Sequence, residues 1–408
     1  MKQRIIGALL PIFLGLLPLA AVFINENSAT GIILVLVLLF LLEKNKGKNY
    51  KKFKYFLTPY LISVSVFIVY VLLSPDIKLG LKVLERQSPM LIIPIIVFCS
   101  NINFSRMRIF LLSFLAGMFL ISIFSFSYLL WFNENYSDWV SVMNDVQQAN
   151  TYLQYKFPHL IGTHPTYWSY LLIIANIVLL NNREFHIISK RSLIVVGLLV
   201  FNGTLLYLSS RTAIGINLLI HIAALALYLR RKKISAKGQI AVFGIGLMAF
   251  VLIVNSPLFK AKILSISSDE RMYLWPVAME KIQENYYILG EGLGQGREVL
   301  KKYIIANGDQ RVNYHSFDLH NQYLRHYLDM GLLGITALLF LILFPFFQVN
   351  KRDVFKNHII CSFTIFYLLC LFTEASLYRF KGVIIFSLFS AVFMLLDYQK
   401  NLLAKDTQ

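Results

Sequence analysis

A few short stretches of this sequence hold the kinds of side chain that bind phosphate or move protons. Ser209-Ser210-Arg211-Thr212 lies between two apolar runs, which predicts a tight helix hairpin with Arg211 at its tip. The serines are positioned to cap the second helix, and a helix start offers unpaired N–H groups and the positive end of its dipole. Arg211 adds a planar, permanently charged fork, so the tip suits a phosphate group; snorkelling to the membrane interface is its plainer use. Further on, Asp269-Glu270-Arg271 is followed at i+4 by Trp275, so Arg271 and an indole share one helical face. A surface ion pair with Asp269 or Glu270 is the competing use of that arginine.

Gly290-Glu291-Gly292-Leu293-Gly294-Gln295-Gly296 has the look of a dinucleotide loop, but no buried strand precedes it. It reads as a flexible turn near a bilayer surface. His315 and His320 come next, the latter opening His320-Asn321-Gln322-Tyr323-Leu324-Arg325-His326-Tyr327-Leu328-Asp329 ahead of Gly331-Leu332-Leu333-Gly334. Spacings of five and six residues between these histidines, with no Cys or HExxH nearby, set a zinc site aside. An imidazole that titrates near neutral pH at the edge of a membrane suits general-base work, with an interfacial hydrogen bond as the alternative.

The elements that must position these groups follow from composition. Of 408 residues 57% are hydrophobic and only 15% are charged, which excludes an ordinary soluble domain. Apolar runs recur at about the 20-residue length needed to cross a bilayer as a helix, and they are apolar on every face, which excludes a barrel. The fold class is all-α, a polytopic membrane protein. Candidate spans are 5–24, 29–42, 55–73, 87–99, 109–132, 165–181, 192–208, 212–229, 239–255, 327–348, 358–374 and 382–397. The fourth is the shortest and holds Pro89 and Pro94, although amphipathic residues before it would extend it.

The excess of 39 Lys+Arg over 21 Asp+Glu reads as a topology signal rather than a nucleic-acid surface. With the amino terminus cytoplasmic, the inside segments hold about three times the basic residues of the short outside loops. Both termini are then cytoplasmic. The chain divides into spans 1–9 over 1–255, a long outside loop over 256–326, and spans 10–12 with a cytoplasmic tail over 327–408. Lys2 and Arg4 ahead of the first apolar run mark a retained helix rather than a cleaved signal. Cys99, Cys361 and Cys370 read as small hydrophobes. This topology, obtained without the motifs, puts Arg211, Arg271 and His320 on one side of the membrane. Two arginines able to grip a diphosphate and one histidine able to deprotonate a hydroxyl are the parts of a group transfer from a lipid diphosphate.

The order of motifs resembles the O-antigen ligase and O-antigen polymerase family: Ser-Arg at a hairpin, Arg271 with Trp275, a Gly-Glu-Gly-Leu-Gly turn, then His320-Asn321-x-Tyr-Leu before a Gly-rich helix start. The likeness covers about 190–350, and the first half of the chain shares only hydropathy with the family. It implies a bacterial inner-membrane glycosyltransferase with a periplasmic site, a donor linked to undecaprenyl diphosphate, and no metal, nucleotide sugar or other cofactor. The acceptor is lipid A core for ligases and another lipid-linked glycan for polymerases. Carried over residue by residue, Arg211 and Arg271 bind the donor diphosphate and His320 activates the acceptor hydroxyl. Ser210, Trp275, His315, Asn321 and Tyr323 line the substrates. His164, at the outer mouth of the sixth span, also lines the site, with a capping role explaining it equally well. The competing class is a transporter or flippase, for which charged residues near the bilayer midplane are expected. His221 is the only such residue well inside a span, while Glu374 and Arg379 lie near an outer end as a possible pair.

Overall fold

The computed structural model describes residues 2–44, 46–134, 163–182, 186–208, 210–232, 271–285, 288–306, 318–347 and 358–406, with single positions 235, 238 and 244. Among them every regular element is helical. In chain order these are α1 (Lys2–Phe23), α2 (Glu26–Leu42), α3 (Lys46–Leu72), α4 (Ile77–Gln87), α5 (Pro89–Cys99), α6 (Phe104–Glu134), α7 (Pro165–Leu180), α8 (Arg191–Leu208) and α9 (Arg211–Arg231). There follow α10 (Arg271–Asn285), α11 (Gln295–Ala306), α12 (Gln322–Phe347), α13 (His358–Thr373), a 3-10 turn at Ser376–Tyr378, and α14 (Phe380–Asp406). Each span expected from hydropathy coincides with one of these helices except 239–255, of which all but position 244 lies outside the described residues. Among the described residues, seven helices are long and apolar enough to cross a membrane: α1, α3, α6, α8, α9, α12 and α14. This is the pattern of a multi-pass membrane protein.

The chain forms two compact units, Met1–Phe114 with Glu270–Gln408, and Leu115–Asp269. At the centre of the first lies α14, whose membrane-length window is 89% buried. It packs on α5, α1 and α13, and the buried Tyr60 hydroxyl joins it to α3 through Ser390 at 2.7 Å. The short fourth span is explained by this burial. At 1.5 Å per residue α5 reaches only about 17 Å, yet it packs on α3 and α14 instead of having to span lipid alone. The amphipathic residues ahead of it form α4, capped by the Asp76 carboxylate accepting from the Leu79 N–H at 3.1 Å.

Where it is described, the expected long outside loop is folded. α10 and α11 pack on α12 around fully buried Leu274, Ala278, Leu300, Leu319 and Leu328. α12 itself is broken at Gly331, whose φ of 56° and ψ of −149° are open essentially to glycine alone. A Cβ there would collide with the Ile288 carbonyl, which accepts the Leu332 N–H freed by the break.

In the second unit α7 is buried along nearly its whole length and packs on α8 and α9. The Asn176 amide donates to the Asn202 and Asn217 side-chain oxygens at 3.3 and 3.0 Å, and Asn217 donates to Asn202 at 2.6 Å. His221 completes the group, with Nδ1 2.8 Å from the Asn217 carbonyl and Nε2 3.3 Å from the Asn202 amide. Those partners call for the neutral tautomer protonated at Nδ1. The only ionisable residue singled out inside a span is thus used as helix-to-helix glue, as polar side chains in lipid commonly are.

Candidate functional site

The best-defined constellation lies in the first unit, around the segment that joins α11 to α12. Trp275, one turn along α10 from Arg271, donates its indole N–H to the Leu319 carbonyl at 2.9 Å and sets its ring edge-on to Phe372. Leu319 is buried in the apolar core under α10 and α11. The residue before His320 is therefore held from both main chain and side chain. His320 then takes φ = 45°, in the left-handed region where a residue with a Cβ costs about 1 kcal/mol or more. Asn321 follows as the cap of α12, its side-chain oxygen accepting from Leu324 N–H at 3.0 Å. From this backbone the imidazole reaches the residue that follows α13.

There Nδ1 of His320 meets the Glu374 carboxylate at 3.2 Å, with the imidazole side chain 32% exposed and Glu374 largely buried. A carboxylate only accepts, so Nδ1 carries the proton and Nε2 is left as the basic atom. Among the described residues Nε2 has no hydrogen-bond partner. Burial would lower the His320 pKa, but the hydrogen bond and charge of Glu374, with Asp318 behind them, outweigh burial and the opposing charge of Arg271. The imidazole is held above its ordinary value, a stronger base than a free histidine.

A second pair joins the same two segments. Asp318 is buried and accepts from Arg379 Nη2 at 2.7 Å. Burial alone would raise the Asp318 carboxyl, and Arg325, His320 and Arg379 together hold it below the usual carboxylate range. The sequence suggested that Glu374 and Arg379 pair with each other; the structure gives both of them partners on 318–320.

The glycine-rich stretch is the other departure from expectation. Gly290, Gly292 and Gly294 all adopt positive φ, and the turn is tied to α12 by several hydrogen bonds. The Glu291 and Gly292 N–H groups donate to the carbonyls of Leu328 and Asp329, both at 2.9 Å. The fully buried Asp329 carboxylate accepts from the Gly294 N–H at 2.9 Å and the Gly296 N–H at 2.7 Å, and faces Arg325 Nε at 3.6 Å. What reads as a flexible turn is a hydrogen-bonded cradle that locks α11 onto the first half of α12.

The other residues singled out by sequence fall as follows. Arg271 starts α10, close enough to His320 for its charge to be felt there. Tyr323 donates its hydroxyl to the Leu368 carbonyl at 2.8 Å, and Asn321 is buried as a cap, so the fold itself uses both side chains. Arg211 and Ser210 open α9 in the second unit, where Ser210 occupies the cap position without a side-chain cap hydrogen bond. His164 caps α7, its Nδ1 accepting from Thr166 N–H at 3.3 Å. His315 lies outside the described residues.

Residues 193–339 match a family model described as O-antigen ligase. That stretch is similar to the O-antigen ligase family. A search of curated proteins returns no match. The family description points to a glycosyltransferase of O-antigen ligase or polymerase type, working on lipid-linked glycan in a membrane. The matched region contains Arg211, Arg271 and His320 together with Arg297, Arg325 and Asp329, while Glu374 and Arg379 lie beyond its end. Sequence reasoning missed Glu374 as the partner of His320, and the signal available was only an acid stranded between two apolar runs.

Proposed function

We propose that this protein transfers a glycan from undecaprenyl diphosphate to an acceptor hydroxyl at the periplasmic face of the bacterial inner membrane, with lipid A core as the acceptor of a ligase. A polymerase, extending another lipid-linked glycan, would use the same chemistry. The observation that carries the reading is the His320–Glu374 pair: an imidazole held in a strained backbone, oriented through Nδ1, with Nε2 left as the base. Nε2 removes the proton from the acceptor hydroxyl. The oxygen attacks the anomeric carbon as that carbon's bond to the diphosphate oxygen breaks, inverting the centre, and the electron pair leaves with the lipid diphosphate. Arg271 stabilises the departing charge, the usual task of a fixed guanidinium beside a phosphoryl leaving group. Arg211, assigned to the same diphosphate by its motif, is tested separately by substitution. No carboxylate nucleophile is required, since diphosphate is already a good leaving group.

The test is purified protein in lipid vesicles, supplied with lipid-diphosphate-linked glycan and acceptor. His320→Ala is expected to bind donor normally and to lose about 10²–10⁴ in turnover, with wild-type transfer persisting in EDTA. Near-normal turnover by His320→Ala, or EDTA inhibition reversed by zinc, would overturn the assignment. A deletion strain separates ligase from polymerase, because unattached long glycan and attached single repeats look different on a gel. A reporter fused at Gly308 should read periplasmic; a cytoplasmic reading removes the basis of the proposal.

A further inference from the structure

The Asp318–Arg379 pair has no task in the reaction just described, yet it sits two residues from the base. The Arg379 side chain is held at Nη2 by a buried carboxylate and remains 53% exposed, so the guanidinium is both fixed and presented. The ground around it is richer in guanidinium than in free carboxylate. Arg325 lies over the Tyr378 ring at 4.5 Å, and among the described residues its Nε has no hydrogen-bond acceptor, with the side chain only 9% exposed. Its ion-pair partner Asp329, at 3.6 Å, stands beyond hydrogen-bond reach of that Nε and accepts two glycine N–H groups. Arg297, in the first turn of α11, also buries an Nε that has no acceptor among the described residues, and the charges of Arg325, Asp318 and Arg379 all reach it. Glu374 is engaged with His320. Buried guanidinium donors left unsatisfied beside a half-exposed arginine are the mark of a place for an anion.

Which anion follows from position. A general base must touch the acceptor hydroxyl, so groups wired to the same two segments meet the substituents flanking that hydroxyl. We propose that Arg379, presented by Asp318 and backed by Arg297 and Arg325, is a specificity-determining residue that takes an anionic substituent of the acceptor, a carboxylate or a phosphate, beside the hydroxyl that His320 activates. The proposal rests on the transferase reading and adds to it the class of acceptor: an acidic glycan or phosphorylated core sugar rather than a neutral one.

The experiment uses acceptor glycolipid from the host membrane in three forms: native, carboxyl-reduced, and dephosphorylated. With native acceptor, Arg379→Gln should raise the acceptor KM about 10- to 100-fold, the worth of a charged hydrogen bond, with the loss falling on acceptor KM rather than on donor KM. One stripped acceptor should show the same loss with wild-type protein and no further loss with Arg379→Gln, which names the group. Arg379→Lys should lie between. Because Arg379→Gln leaves Asp318 buried without its partner, the Asp318→Asn/Arg379→Gln double variant is measured beside it and should show the same selectivity loss. Unchanged acceptor KM in both, loss confined to donor KM, or equal use of all three acceptors by wild-type protein overturns the proposal. Acceptor binding is also measured directly in the His320→Ala background. Anion-selective binding there, with no transfer by wild-type protein, would sink the transferase reading alone; transfer without selectivity would sink only this proposal.

Discussion

Replacing Glu374 with Gln keeps the shape of the side chain and removes the charge facing His320. At 3.2 Å, unit charges attract by about 5 kcal/mol at an effective dielectric of about 20, an upper bound for what is lost. A nearer figure is the gap between a charged and a neutral hydrogen bond, about 1–2 kcal/mol, or about 5- to 30-fold in turnover. Glu374→Ala, which also frees the ring to rotate, should cost more. The pH profile discriminates this role from simple misfolding. In the wild-type protein Glu374 is the main influence raising the His320 pKa against burial and Arg271. Without its charge those two remain, the pKa falls, and the acid limb of kcat/KM moves to lower pH while the plateau drops. Stability follows the same sign. A raised folded pKa contributes stability fully present below the unfolded value of about 6.5 and lost as pH rises through the folded value. Glu374→Gln should therefore destabilise the protein more at pH 5 than at pH 9, by thermal unfolding in detergent. A wild-type plateau with an unmoved acid limb would refute the reasoning, since neither orientation nor charge would then reach the base.

Arg211→Lys keeps the charge but not the bidentate fork, so donor-dependent transfer should fall at wild-type protein level; full activity would take Arg211 out of the diphosphate site. Asp329→Asn removes the charge opposite buried Arg325 and puts an amide where two glycine N–H groups need acceptors, at a cost of about 3–5 kcal/mol in unfolding experiments. Gly331→Ala should fail to accumulate or melt far below wild type, because the backbone there excludes a Cβ and the Ile288 carbonyl occupies its place; a normal melting curve would mean that α12 is not broken at that point.

What the sequence made legible divides along a physical line. Hydropathy located the helices because lipid imposes one rule, that backbone polar groups be satisfied within the segment, and apolar length follows from it. His320 was legible for a related reason, as a titratable residue just ahead of an apolar helix start. Its partner was not. Glu374 stands 54 residues away, just past the end of α13, and only the packing of α12 on α13 brings the two together. Proximity in sequence favoured Glu374 with Arg379, and proximity in space gave each a different member of 318–320. The glycine stretch was misread for the same reason. Glycines look flexible when nothing local restrains them, but Gly294 and Gly296 are restrained by Asp329, 35 and 33 residues downstream. Asp329 in turn is hidden at the start of an apolar run, where a buried acid must be paired or its burial is prohibitive. An acid at such a place, four residues after an arginine and two and five before a pair of glycines, is therefore itself a signal that some other backbone is brought to it. Applied to Asp318, the same logic says that a buried carboxylate two residues before the proposed base is kept for what it holds, and what it holds is Arg379.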